Sequence, residues 1–230
     1  MNEENIVALD QLEPCGAGCP KPIFYMDHLT VDQLSEVGGG KHLRLRLSRE
    51  GCSFGAIFFS TTALRSGIAQ GDRVEIAFTP QINEFRGARS VQLNLVDIRP
   101  DRASRRMYME DRVLVDRIRA GQQLNAIQAM AVLPTRNEFA AVWRYLTANV
   151  QGHQLQEDLA CLSRKIGRTV GRSLRPGRLW VALQVFQERG LLTCRDHRGC
   201  VQITLSNPTG KVDLDKSPIM LDLYKQKDGD

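Results

Sequence analysis

KHLRLRLSREGCSFGAIFF, residues 41–59, is the stretch on which the fold turns. In its first half Leu43, Leu45 and Leu47 alternate with His42, Arg44 and Arg46. A period of two marks a strand with one face against a core, and the opposite face here is cationic. A turn at Glu50-Gly51 separates this strand from FGAIFF, residues 54–59, which reads as a second strand buried on both faces. Outward from there, residues 61–72 predict a short helix and a Gly-Asp turn, and Val74, Ile76 and Phe78 of RVEIAF share a strand face. SVQLNLVDI, residues 90–98, puts Val91, Leu93 and Leu95 inward and Ser90, Gln92 and Asn94 outward. Between these last two runs stands Asn-Glu-Phe-Arg-Gly (83–87), a turn carrying a ring and a cation where a plain Asn-Gly would close the hairpin more easily.

Upstream, Pro14, Gly16, Gly18, Pro20 and Pro22 exclude regular helix from LEPCGAGCPKPIF and predict an extended arm over residues 1–27. Four short strands, the arm and one helical interruption describe a small antiparallel barrel over residues 28–100. The five-stranded oligonucleotide-binding (OB) fold suits that length best. After Pro100 the chain is rich in both charges, and residues 101–133 read as a charged connector with helical tendency. Phe139, Val142, Trp143 and Leu146 then recur at helical spacing, a second helix is expected within residues 155–168, and a third runs from Pro176 to Gly190. Two short strands around Asp-His-Arg-Gly (196–199) follow, so residues 134–208 have the order of a winged helix, and 209–230 form a fraying tail. The expected fold class is α+β, an OB-fold-like barrel followed by a helical winged-helix-like domain.

The 230 residues are 42% hydrophobic and 25% charged, which is ordinary for a soluble globular protein. Neither GAIFF nor LWVAL is long enough to span a bilayer, and MNEENIVALD lacks the order of a signal peptide, so no membrane partner and a cytoplasmic address are expected. The six cysteines are expected to stay reduced. Gly-Gly-Gly-Lys-His (38–42) is not a phosphate loop, because Ser35 and His42 occupy the positions that need Gly and Ser or Thr. Cys194, His197 and Cys200 lack the paired spacing of a zinc ribbon, and no acyl-transfer or metalloprotease pattern occurs, so no metal site and no catalytic centre are assigned.

Charge and stacking remain. The net charge is +5 with a pI near 9.0. Residues 41–100 hold nine cations against five acids, a net of +4, and residues 161–200 hold nine against two, a net of +7. A single nucleic-acid strand needs cations along its phosphates and flat groups under its bases. The candidate nucleic-acid-binding residues are Lys41, His42, Arg44, Arg46, Asn83, Phe85, Arg86, Arg89 and Gln92. The second domain offers a basic patch of Arg164, Lys165, Arg168, Arg172, Arg175 and Arg178, suited to phosphates or to an acidic protein tail.

LEPCGAGCPKPIF, GGGKHLRLRL and above all INEFRGARSVQLNLVDIRP resemble the C-terminal part of RecJ, the bacterial family of single-stranded-DNA-specific exonucleases. The likeness covers residues 1 to about 100; RGLL and KVDLDKSP resemble, more weakly, an extra C-terminal domain of longer members. By this resemblance Asn83–Gly87 fall on the family's hairpin motif and His42, Leu43 and Arg44 on its His-Leu-Lys, and the barrel guides single-stranded DNA toward a nuclease core. Cys15 and Cys19 depart from the Phe and Asn of the pattern, and the Asp-His-His core with its Gly-Gly-Gly-His partner domain is missing. The resemblance therefore implies a non-catalytic DNA-binding module of a 5'-3' exonuclease of DNA repair and recombination. No cofactor is expected in this chain, manganese or magnesium belonging to the missing core. Single-stranded DNA is the expected partner; the alternative is an adaptor whose basic second domain holds the acidic tail of single-stranded-DNA-binding protein or another repair protein. Met1 stands where the core would end, which leaves open an engineered piece, a truncated or split gene, or a stand-alone relative.

Overall fold

The computed structural model describes residues 3–9, 21–85, 88–150, 154–197, 199–206 and 212–228. The chain divides into two compact units, Met1–Arg102 and Ala103–Asp230.

The first unit contains α1 (Glu3–Leu9), β1 (Phe24–Val37), β2 (His42–Arg49), β3 (Cys52–Phe58), α2 (Ala63–Ser66), β4 (Arg73–Phe85) and β5 (Ala88–Pro100). The strands close into a barrel in the order β1-β2-β3-β5-β4. All neighbours are antiparallel except β3 and β5, which run parallel. Closure removes the exposed edges that an open sheet would present. The alternation read in residues 42–47 is what fills this barrel: Leu43, Leu45 and Leu47 join Leu29, Val31, Val74, Ile76, Phe78 and Leu93 in one buried cluster.

The fifth strand is β1, which begins at Phe24 and runs to Val37 across the boundary expected at residue 27. Its period of two was hidden because the register shifts twice, between Met26 and Leu29 and again between Val31 and Gln33. Each bulge adds a residue and moves the inward positions by one. Residues 3–9, also inside the expected arm, form a helix whose Ile6 is buried; residues 10–20 lie outside the described residues. The connection from β1 to β2 is made by Gly38, Gly39 and Gly40, all at positive φ. A side chain on Gly38 would also collide with the His42 ring, 2.8 Å from where its Cβ would stand. A strand follows this turn, where a phosphate loop would open a helix.

The second unit contains α3 (Arg102–Arg119), α4 (Ala126–Val132), α5 (Arg136–Asn149), β6 (Leu155–Asp158), α6 (Leu159–Thr169), α7 (Pro176–Glu188), β7 (Leu192–His197), β8 (Cys200–Leu205) and α8 (Pro218–Asp228). Its strands form a sheet in the order β6-β8-β7. Capping boxes start α4 (Asn125 with Gln128) and α5 (Thr135 with Glu138). The Asp158 carboxylate caps α6 by accepting from the Cys161 amide at 2.8 Å.

Three expectations change here. Residues 101–133 are not a connector, since Leu114, Val115, Leu124, Ala129 and Val132 belong to the core of this unit. Leu155–Asp158, expected to be helical, pair with Cys200–Ile203 as an edge strand. The tail is not frayed over its whole length: α8 buries Met220 and Leu223 against the same core. In each case tertiary burial selected a structure that a local charge count does not reveal.

Candidate nucleic-acid interface

Strand pairing lines up the outward side chains of the barrel in rows. One row reads Gln33, Arg46, Gly55, Gln92, Gln81 across β1, β2, β3, β5 and β4. The next reads Ser35, Arg44, Ile57, Asn94, Thr79. Strands lie about 4.8 Å apart and side chains on one face recur every ~7 Å, so Arg44 and Arg46 flank a shallow strip about 10 Å wide. Both arginines are exposed, and among the described residues neither has an ion pair. At the far end of the same strand Arg49 is neutralised by Asp27 at 3.2 Å and by Glu50 at 3.4 Å. Along β2, the cations without an ion pair among the described residues are therefore the two in its middle.

The strip is closed at the β1–β2 turn by rings. The Phe59 ring stands edge-on to the His42 ring with centroids 5.2 Å apart, and it is 50% exposed. His42 Nδ1 accepts a hydrogen bond from the Ser60 amide at 3.0 Å, which fixes the imidazole beside the ring and leaves Nε2 to carry the proton. Lys41 is exposed in the turn. This corrects the reading of FGAIFF as doubly buried: only Ala56 is fully buried, Phe54 and Phe58 pack inward, and Gly55, Ile57 and Phe59 form the outer edge of the strip. Ile57 and Phe59 were missed although the period of two continues through them; two adjacent phenylalanines hid the alternation.

The hairpin contributes less than expected. Asn83 and Glu84 are strand residues paired with Ser90 and Arg89, and pairing continues to Phe85 opposite Ala88, so only positions 86 and 87 connect the strands. Asn83 alternates onto the face of Gln81 and Gln92, whereas Arg89 alternates with Val91 and Leu93 onto the opposite face. Arg86 and the side chain of Phe85 lie outside the described residues.

The basic patch of the second unit is dispersed. Asp111 of α3, 1% exposed, accepts from Arg175 Nε at 3.0 Å and from the Gly177 amide at 2.9 Å. That carboxylate so caps α7, whose own N-terminal residue supplies no side-chain cap. The hydrogen bond to Asp111 raises Arg175 further above its ordinary range. Arg178 Nη1 binds Glu138 at 3.0 Å and its Nε reaches the Ala131 carbonyl at 3.1 Å. Lys165 pairs with Glu157 of β6. Although burial works against its charge, that bond keeps Lys165 above its ordinary value. Arg168 and Arg172 are exposed, and Arg164 is half-buried.

No group of three or more His, Cys, Asp or Glu side chains converges on a metal position among the described residues. Cys194 and His197 alternate onto opposite faces of β7, and burial pushes the Cys194 thiol up to about 12. Among the described residues no helix is long and apolar enough to cross a membrane.

Five closed strands in this order with an open cationic face define an OB barrel, and residues 1–97 match the RecJ OB domain family. The first unit is similar to the RecJ OB domain. Its sequence is 26% identical over 95 residues to the single-stranded-DNA-specific exonuclease RecJ of Bacillus subtilis, a match covering 41% of this chain and 12% of that protein. The crystal structure of RecJ in complex with Mg2+ from Thermus thermophilus is 25% identical, covers 43% of this chain and 14% of its own, and superposes with a TM-score of 0.34. The second single-stranded DNA binding protein of Mycobacterium smegmatis is 15% identical with a TM-score of 0.31, over 35% of this chain and 87% of its own. The chain thus spans a small part of the RecJ proteins it is similar to, and the match lies in the OB domain.

Proposed function

We propose that this chain is a non-catalytic, single-stranded-DNA-binding module of a RecJ-type exonuclease acting in DNA repair and recombination. The observation that carries the reading is the outer strip of the barrel, where Arg44 and Arg46 stand without acidic partners among the described residues beside Ile57 and Phe59. Guanidinium groups follow the phosphates of a strand laid along β2 and β3, and the ring takes a base; both interactions tolerate any sequence. Lys41, His42, Asn83 and Gln92 extend the same surface. In this reading manganese or magnesium belongs to a separate catalytic part, and no residue described here is asked to hold it. The order helix, strand, helix, helix, hairpin in residues 136–205 supports a winged-helix reading of the second unit. A protein partner held by its basic patch finds less support, because Lys165, Arg175 and Arg178 already have carboxylate partners within the unit.

The test is the double variant Arg44→Ala/Arg46→Ala, titrated with a fluorescent single-stranded oligonucleotide over a range of salt. Loss of two phosphate contacts lowers the slope of log affinity against log salt by about 1.4. The melting temperature stays unchanged, since both side chains are exposed and unpaired. An unaltered slope removes the strip from the explanation.

A further inference from the structure

Gly55 occupies the interior of β3, between Arg46 of β2 and Gln92 of β5. Glycine there weakens a strand through chain entropy and brings no side chain to pack, so its presence needs a cause. A bulge is not the cause, because β2 and β3 pair without a register shift from Leu43↔Phe58 to Arg49↔Cys52. Nor is a left-handed backbone, since Gly55 is not among the residues at positive φ. Close packing is not the cause either: a Cβ on Gly55 would meet no atom within 4 Å. Besides a bend at a barrel corner, the ordinary reason for a mid-strand glycine that is left is the close approach of a ligand, and the side chains around Gly55 favour the ligand.

The neighbours give that ligand its chemistry. On one side lies the exposed guanidinium of Arg46. On the other, Gln81 and Asn94 bond to each other at 2.7 Å, while the Gln92 amide makes no hydrogen bond among the described residues. That amide carries both a donor and an acceptor, as the edge of a nucleobase does. Along the strand, Ile57 and then Phe59 continue an apolar floor.

We propose that the bare backbone of Gly55 is a base slot, in which one unpaired nucleobase lies flat on β3 with its phosphate toward Arg46 and its edge against the Gln92 amide. The inference rests on the single-strand-binding reading of this face and adds where on it a further base lies: on the backbone of Gly55, apart from the ring of Phe59. Its test uses the whole chain, a fluorescent oligothymidylate, and an abasic strand of equal length at low salt. Gly55→Val places branched carbons in the slot, and valine suits a strand better than glycine, so the variant melts no lower than the unaltered protein. Its affinity for oligothymidylate falls roughly tenfold, within the worth of one stacked base; its affinity for the abasic strand is unchanged. Gly55→Ala, with one carbon in open space, gives a smaller loss of the same selectivity and serves if the valine variant folds poorly. Equal binding of oligothymidylate by the variants and the unaltered protein overturns the slot, as does an equal loss on both strands. If the unaltered chain binds neither strand, the reading beneath the slot fails instead.

Discussion

The two units use arginine in opposite ways. In the OB barrel the central cations of β2 stand on a sheet face with no carboxylate at ion-pair distance among the described residues, and their charge is available to a ligand. In the second unit, more basic by count, the cations at 165, 175 and 178 are committed to Glu157, Asp111 and Glu138. A local excess of charge is therefore not a binding surface. The carboxylates that answer Arg175 and Arg178 lie 64 and 40 residues away, outside any window in which the excess was counted. Partly buried pairs of this kind hold an element in place; exposed unpaired cations contribute little to stability and much to the capture of polyanions.

That contrast is broken most readily at Asp111. Asp111→Ala leaves Arg175 without its partner and α7 without a cap, which costs the second unit about 3 kcal/mol. Hydrogen exchange followed by mass spectrometry will show protection lost within residues 103–230 and kept in β1 to β5. Unchanged protection in the second unit would mean that Arg175 is free for an anion after all. A smaller effect is expected at Phe59, whose replacement by alanine weakens oligonucleotide binding by about 1 kcal/mol, the lower end for a stacked base because the ring is already packed against His42. Binding unchanged in that variant would restrict the strip to its cations.

The smallest effect concerns alkaline pH and sharpens the comparison from the side of the second unit. Burial raises the Cys194 thiol from its ordinary 9.0 to about 12. Burial also raises the Tyr108 and Tyr145 phenols, and Lys165 is raised through Glu157. Each group binds its proton more tightly in the folded chain than in the unfolded one. The stability they contribute is complete below their ordinary values and is lost as pH rises toward the folded ones. Thermal melts of residues 103–230 in the intact chain should therefore decline between pH 9 and 12, and Cys194→Val should flatten part of that decline.

Much of the barrel was legible because its signal is local. Leu43, Leu45 and Leu47 against Arg44 and Arg46 specify a strand, its buried face and its charged face in five residues. The same logic failed at β1, where two bulges displaced the inward positions, and at Phe59, where adjacent rings concealed which one faced out. The residues 101–133 misled for another reason: apart from the buried Asp111, their charges lie on the outward sides of helices whose inward sides carry the core.

Periodicity along the chain thus determined that this protein contains a small barrel with a cationic outer face, because a pleated strand turns successive side chains to opposite sides whatever surrounds it. Which cations stay free, and which residue of β5 stands beside Gly55, was decided only by folding. Both depend on distances between residues far apart in the chain, and such distances come from packing and strand register, which no local pattern encodes.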